Sequence, residues 1–264
     1  MQIGGSTCAL ITGASKGIGR AVAVDLAGRG ARVGLIARGR RDLDELADSL
    51  PGEPIVLPAD VSDRREVERA VQAFVEDAGS LDLLVANAGV AHYGRFTEVG
   101  IEKAEEMVSI NVLGSLYTVR AGLDQMLAAG RPGHIVVVSS GAGIRAFPSG
   151  AVYGATKAAN RGFAEALRHE LDGTGIGVTT VYPGEVATDL HSHQLDRMPA
   201  WRRSNEAIEP AELAAEIATT VIAGGRSVYA PRAVRMLGLN GLAPRLLDRL
   251  LRRARGSAAA PRRD

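Results

Sequence analysis

The stretch Cys8-Ala9-Leu10-Ile11-Thr12-Gly13-Ala14-Ser15-Lys16-Gly17-Ile18-Gly19 decides the fold. A short apolar run of strand length meets a turn rich in glycine, and helical spacing follows from Ile18 to Gly28. Glycines at 13, 17 and 19 allow a tight turn and a close backbone approach to a pyrophosphate, which would face the free N–H groups of the helix start. Gly13, Ser15, Lys16, Gly17, Ile18 and Gly19 are therefore the candidate contacts of a dinucleotide. The spacing is G-x-x-x-G-x-G and not the more general G-x-G-x-x-G, so a plain structural turn competes with this reading.

Outward from that unit the pattern repeats. Further strands are expected over Arg32–Ala37, Pro54–Leu57, Leu81–Ala86, Gly133–Ser139, Gly177–Tyr182 and Ser227–Ala230. Helical stretches separate them; over Asp63–Ala78, Val67, Ala70, Val71 and Phe74 form an i, i+3, i+4, i+7 stripe. Runs such as Ile135–Val138 are wholly apolar, which suits parallel strands covered on both faces. The fold class is α/β: a Rossmann-type, doubly wound parallel sheet of about seven strands with helices on both faces. Residues 1–234 read as one domain, with an aperiodic insertion at about 187–209 and a basic amphipathic tail over 235–264.

The 264 residues, 46% hydrophobic and 23% charged, describe an ordinary globular chain. The single cysteine, Cys8, has no disulfide partner and suits a reducing, cytoplasmic setting. No leader-like or membrane-spanning apolar segment is read in the chain. Net charge is +1, with +6 from Arg235 to Asp264 and so −5 over the rest, which argues against a nucleic-acid partner. Lysine occurs only at 16, 103 and 157.

At the end of the second strand, Leu35-Ile36-Ala37-Arg38-Gly39-Arg40-Arg41 carries no carboxylate before Asp42. An acidic residue there would hold a ribose 2′-hydroxyl, whereas arginine accepts a 2′-phosphate. Arg38, with Lys16 and Ser15, favours NADP(H) over NAD(H); Arg40 and Arg41 read as solvated charges at a helix start. Asp60-Val61 after the third strand could meet an adenine amino group, with a turn or cap as the competing role. Asn87-Ala88-Gly89 closes the fourth strand at the carboxyl edge where open α/β sheets bind ligands.

Chemistry is carried further along. Ser140 ends the fifth strand, and Tyr153 and Lys157 stand four apart on the next helix, on one face. A phenol of pKa about 10 is a poor base near neutrality, and a neighbouring ammonium favours its ionised form. Such a tyrosine can pass a proton to a carbonyl oxygen that Ser140 holds by a hydrogen bond. Taken alone, Y-x-x-x-K is commonplace and reads as a surface aromatic beside a solvated lysine; Ser140, the glycine turn and the strand order together favour the chemical reading.

With these elements in place, the sequence resembles the short-chain dehydrogenase/reductase family from about Thr7 to Ala230, through Thr12–Gly19, Asn87–Gly89, Ser140, Tyr-Gly-Ala-Thr-Lys at 153–157 and Pro183-Gly184. Ala86 stands where the family often has asparagine before its N-A-G element. The resemblance implies a catalytic tetrad of Asn111, Ser140, Tyr153 and Lys157, with Asn111 interrupting its helix and holding a water that links Lys157 to solvent. It also implies that Pro183, Gly184, the backbone near Val186 and the Thr188 hydroxyl face a nicotinamide carboxamide, and that the chain forms a homodimer or homotetramer through the helices bearing Asn111 and Tyr153.

The expected activity is interconversion of a carbonyl and a secondary alcohol with NADP(H), on a small-molecule substrate whose identity the sequence leaves open. Two alternatives stand beside it: a nucleotide-binding regulatory protein without turnover, and a membrane-peripheral reductase of lipid-like substrates. Phe147, Ser149, His92 and Tyr93 are expected near the reacting carbonyl, and His191, His193 and Trp201 in a lid over it. No third ligand accompanies the two histidines, so no metal site is expected. In the tail, Leu239, Leu242, Leu246, Leu247, Leu250 and Leu251 form a stripe flanked by arginines; packing on the body or another subunit is favoured over an anionic membrane surface.

Overall fold

A computed structural model of the 264-residue chain describes residues 1–188, 190, 207–241, 244, 245 and 249. Seven strands form one parallel sheet: β1 (Cys8–Thr12), β2 (Arg32–Ala37), β3 (Ile55–Pro58), β4 (Leu83–Ala86), β5 (Gly133–Val138), β6 (Ile176–Pro183) and β7 (Ser227–Ala230). Their order is β3-β2-β1-β4-β5-β6-β7, so the winding direction reverses between β1 and β4. At such a reversal two crossovers leave on opposite sides and open a crevice at the strand ends.

Alternate residues of each strand feed two separate cores. Ala9 and Ile11 with Val136 and Val138 meet α1 (Gly17–Gly28), α2 (Arg40–Asp48) and α8 (Pro210–Ile222). Leu10 with Ile135 and Val137 meets α3 (Arg64–Ala78), α5 (Gly114–Ala129) and α7 (Ala151–Glu170). Burial on both faces is why these strands carry no polar alternation. The stripe Val67, Ala70, Val71, Phe74 is the buried face of α3. Helix α3 begins where the Asp63 carboxylate accepts the amides of Arg65 and Glu66 at 2.8 and 3.1 Å, and it ends at Gly79 in the left-handed region. Phe74 lies so close to β2 that a methyl group on Gly34 would enter its ring.

Between α4 (Ile101–Met107) and α5 the chain adopts a π-helical turn over Val108–Leu113. The insertion between β6 and α8 closes at its base by a parallel bridge between Val186 and Ile208. After β7 the chain forms a 3₁₀ segment, Arg232–Gly241, that lies against the short helix α6 (Gly141–Ile144). A methyl group on Gly141 would come within 3.2 Å of Val234 and 3.5 Å of Leu237, and one on Gly184 within 3.4 Å of Val234. The histidines and tryptophan assigned to the lid, and most of the tail stripe, lie outside the described residues. No helix among the described residues is long and apolar enough to cross a membrane.

Candidate active site

A cavity of about 690 Å³ opens at the carboxyl edge of the sheet, over the β1/β4 reversal. Gly13 and Gly17 both take positive φ, +67° and +54°, a region that side chains disfavour. Lys16, at the N-cap of α1, gives no side-chain bond to the helix start, so the first-turn amides are left for a ligand. Of the six candidate contacts in the turn, Gly19 alone is buried and does not line the cavity. A methyl group there would run into the Gly13 carbonyl and come within 2.5 Å of Asn87 Nδ2, so this glycine lets α1 close onto the turn.

The turn is clamped to the end of β4 by Thr12 and Asn87. The Thr12 hydroxyl accepts the amides of Asn87 and Ala88 at 3.0 and 3.2 Å and donates to Val85 O at 3.3 Å. Asn87 Nδ2 donates to Thr12 O at 2.9 Å. Asn87 therefore braces the cavity it lines, with its amide nitrogen spent on backbone. Asp60 is similarly engaged: its Oδ1 accepts from the Ser62 amide and hydroxyl at 2.9 and 2.7 Å, the turn role that competed with ligand contact.

Ser140, Tyr153 and Lys157 line the same cavity as the glycine turn. Ser140 Oγ accepts from the Ala142 amide at 3.1 Å and caps α6, which fixes its position at the strand end. Tyr153 and Lys157 come from the first turns of α7 and are both buried. The Tyr153 ring meets Tyr93 edge-on at 5.8 Å, and Tyr93 in turn packs on Phe147. Two of the aromatics expected near the reacting carbonyl thus wall in the phenol, together with Leu190 from the insertion. Ser149 takes φ +70°, and its carbonyl accepts the Gly94 amide at 2.9 Å, tying the β4 loop to the start of α7. His92 lies away from the cavity lining, its ring 3.0 Å from Glu106. Glu106 is held below the usual carboxylate range, chiefly by its hydrogen bond from Lys103 and further by His92.

Lys157 Nζ donates to Val138 O at 3.1 Å, and burial pulls its pKa down to about 8. It remains mostly an ammonium at neutral pH. Asn111 does not line the cavity; it sits behind Gly89, where a methyl group would touch Asn111 Oδ1 at 3.2 Å and Lys157 Nζ at 3.3 Å. Within the π turn, Asn111 Oδ1 accepts the Val90 amide at 2.8 Å, and its Nδ2 donates to Val90 O and Thr156 Oγ1. The Thr156 hydroxyl donates onward to Tyr153 O at 2.8 Å, and Ser115 Oγ donates to Asn111 O. This buried polar chain fixes α7 against the π turn, and single residues in the sequence gave no sign of it.

At the β2 end of the cavity stand Ala37, Arg38, Gly39 and Asp42, with Asp60 and Val61 from the turn after β3. Arg38 is exposed there, and Lys16 reaches across to Asp42 at 3.8 Å. The sequence reading set Asp42 aside as lying beyond the strand end, yet the first turn of α2 brings it back over the cavity. Pro183, Gly184, Val186 and Thr188 line the opposite end, and Thr188 is the neighbour a side chain at Gly17 would meet, at 3.1 Å.

Comparison with known proteins agrees with this architecture. The short chain dehydrogenase family profile matches residues 7–198. Glycine betaine reductase ATRR of Emericella nidulans is 41% identical over 185 residues; the match takes in 69% of this chain, which spans 14% of that enzyme's length. Among solved structures, a short-chain dehydrogenase/reductase from Burkholderia phymatum in complex with NAD superposes with a TM-score of 0.85 at 26% identity, covering 94% of this chain and 96% of that one. An alcohol dehydrogenase from Thermococcus sibiricus complexed with 5-hydroxy-NADP gives 0.75 at 29% identity, covering 84% and 95%. With its sheet order, its glycine turn and a match over most of its length, the chain belongs to the short-chain dehydrogenase family.

Proposed function

We propose that the protein is an NADP(H)-dependent oxidoreductase that interconverts a carbonyl and a secondary alcohol of a small-molecule substrate. One observation carries this reading: Ser140, Tyr153 and Lys157 share a single cavity with a glycine turn whose helix-start amides are left open. The residues fit a dinucleotide on three counts: positive φ at Gly13 and Gly17, uncapped amides at α1, and cationic side chains at the β2 end. Gly13, Ser15, Lys16, Gly17, Ile18, Ala88 and Gly89 would hold its phosphates and ribose, Asp60 and Val61 its adenine, and Pro183, Gly184, Val186 and Thr188 its far end. When bound, the nicotinamide supplies or takes up the hydride at the substrate carbon.

In reduction the substrate carbonyl oxygen accepts a hydrogen bond from Ser140 Oγ and a proton from the Tyr153 hydroxyl. The Lys157 ammonium stabilises the phenolate left behind, and Asn111, behind Gly89, would hold a water that links Lys157 to solvent. Tyr93 and Phe147 back the Tyr153 ring from outside the cavity, while Leu190 lines it. Arg38 and Lys16 support the preference for NADP(H) over NAD(H); the solved relatives named above carry ligands of both kinds. Exposed Val108 and Leu113, at the two ends of the π turn, support association into a homodimer or homotetramer, and the free Cys8 a cytoplasmic setting.

The test is oxidation of NADPH against a panel of carbonyl compounds. Tyr153→Phe should keep nucleotide binding and lower kcat by two to four orders of magnitude, in the range of general acid–base effects of about 10²–10⁴. A Tyr153→Phe enzyme that turns over at the parent rate would reject the assignment.

A further inference from the structure

We propose that Asp42 is a specificity-determining residue that counters the 2′-phosphate of NADP(H), so that the preference set by Arg38 is narrow. This inference rests on the cofactor reading above and concerns one end of the same cavity.

Three observations point to it. Asp42 lines the cavity although it lies four residues beyond Arg38, because it occupies the first turn of α2. Its Oδ2 lies 3.5 Å from where a methyl group on Gly39 would be, so the carboxylate folds back over the helix start that Gly39 caps without a side chain. Finally, Lys16 Nζ is 3.8 Å from the same oxygen, with the lysine side chain 69% exposed and the aspartate 34%.

A 2′-phosphate entering beside Arg38 needs the same two attractions that Asp42 already uses: the Lys16 ammonium and the amide dipoles at the start of α2. It would also bring close to two negative charges next to a carboxylate. A 2′-hydroxyl meets no such conflict and can donate to Asp42. The side chain thus penalises one nucleotide and tolerates the other, a repulsive element set against the attractive Arg38.

The experiment measures dissociation constants by calorimetry for NADPH, NADH and the fragments 2′,5′-ADP and 5′-AMP, on the parent, Asp42→Asn and Asp42→Ser. Removing one charge some ångströms from the phosphate in a half-exposed site should tighten NADPH and 2′,5′-ADP by about tenfold. NADH and 5′-AMP should change less than twofold, and the selective gain should shrink in high salt. Equal shifts for phosphorylated and unphosphorylated ligands, or none in either variant, would overturn the role of Asp42 while leaving the cofactor reading intact. Failure of the parent to bind either dinucleotide would overturn both.

Discussion

Replacing Lys157 by methionine should make the folded protein more stable while abolishing turnover. The lysine is buried, and burial lowers its pKa from 10.5 to about 8. At about 1.4 kcal/mol per pKa unit, holding this ammonium in the fold costs about 3 kcal/mol at neutral pH. Methionine has a similar reach and carries no charge, but it leaves Val138 O without the 3.1 Å bond from Nζ. That loss is worth about 1 kcal/mol, so the net gain at pH 7 is about 2 kcal/mol, or about 5 °C in Tm for a domain of this size.

The sign of the pH dependence follows from linkage. Above pH 10.5 the lysine is neutral in both folded and unfolded chains, and its burial costs nothing. As pH falls through the window from 10.5 to 8, the unfolded chain takes up a proton that the folded protein does not, so the parent loses stability. The advantage of the variant is therefore full at pH 7 and narrows as pH rises towards 10. Urea unfolding of both proteins without nucleotide, at pH 7.0, 8.5 and 9.5, measures it. A variant less stable than the parent at pH 7, or a difference that stays constant across the series, would refute the reasoning.

The remaining predictions are simpler. The Thr179 hydroxyl donates to Gly225 O, which leaves its oxygen to accept from His134 Nε2 at 2.8 Å, and burial is the main cause that lowers the imidazole pKa to about 4. Stability should be lost as pH falls from 6.5 through 4, and His134→Gln should remove about one proton from that slope in acid unfolding. Gly34→Ala should destabilise by about 1–3 kcal/mol through overpacking against Phe74, and Phe74→Leu should recover part of the loss in a double variant. Thr156→Val, which deletes the link between Asn111 and the Tyr153 carbonyl, should lower kcat and shift its pH profile, whereas Thr156→Ser should restore both.

Most of the sheet was legible because its strands are short apolar runs bounded by turn residues, and β1, β2 and β7 fall on the ranges read from sequence. Strand β4 starts at Leu83 and not Leu81 because the Asp82 carboxylate takes the Cys8 amide at 2.9 Å in place of a backbone partner. Strand β6 runs on to Pro183 because its carboxyl end still pairs with Ala230. The glycine turn, Ser140, Tyr153 and Lys157 were legible as residue types at fixed spacing. That they would meet at the carboxyl edge of one sheet was expected from the strand–helix alternation, whereas the shape of the shared cavity and its other lining residues were not. The π turn at Val108–Leu113 widens one helical turn without changing composition, so periodicity carries no trace of it. Asp42 was visible as a residue but not as a neighbour of the cavity, because a helix turn and not the strand sets its direction.

The resting place of the 3₁₀ segment on Gly141 and Gly184 has a practical corollary. Val234 and Leu237 press on the backbone just after Ser140, and Val234 also on that just after Pro183, so this segment buttresses two stretches of chain that border the cavity. Varying residues 234–237 would reshape this wall without replacing any residue that lines the cavity.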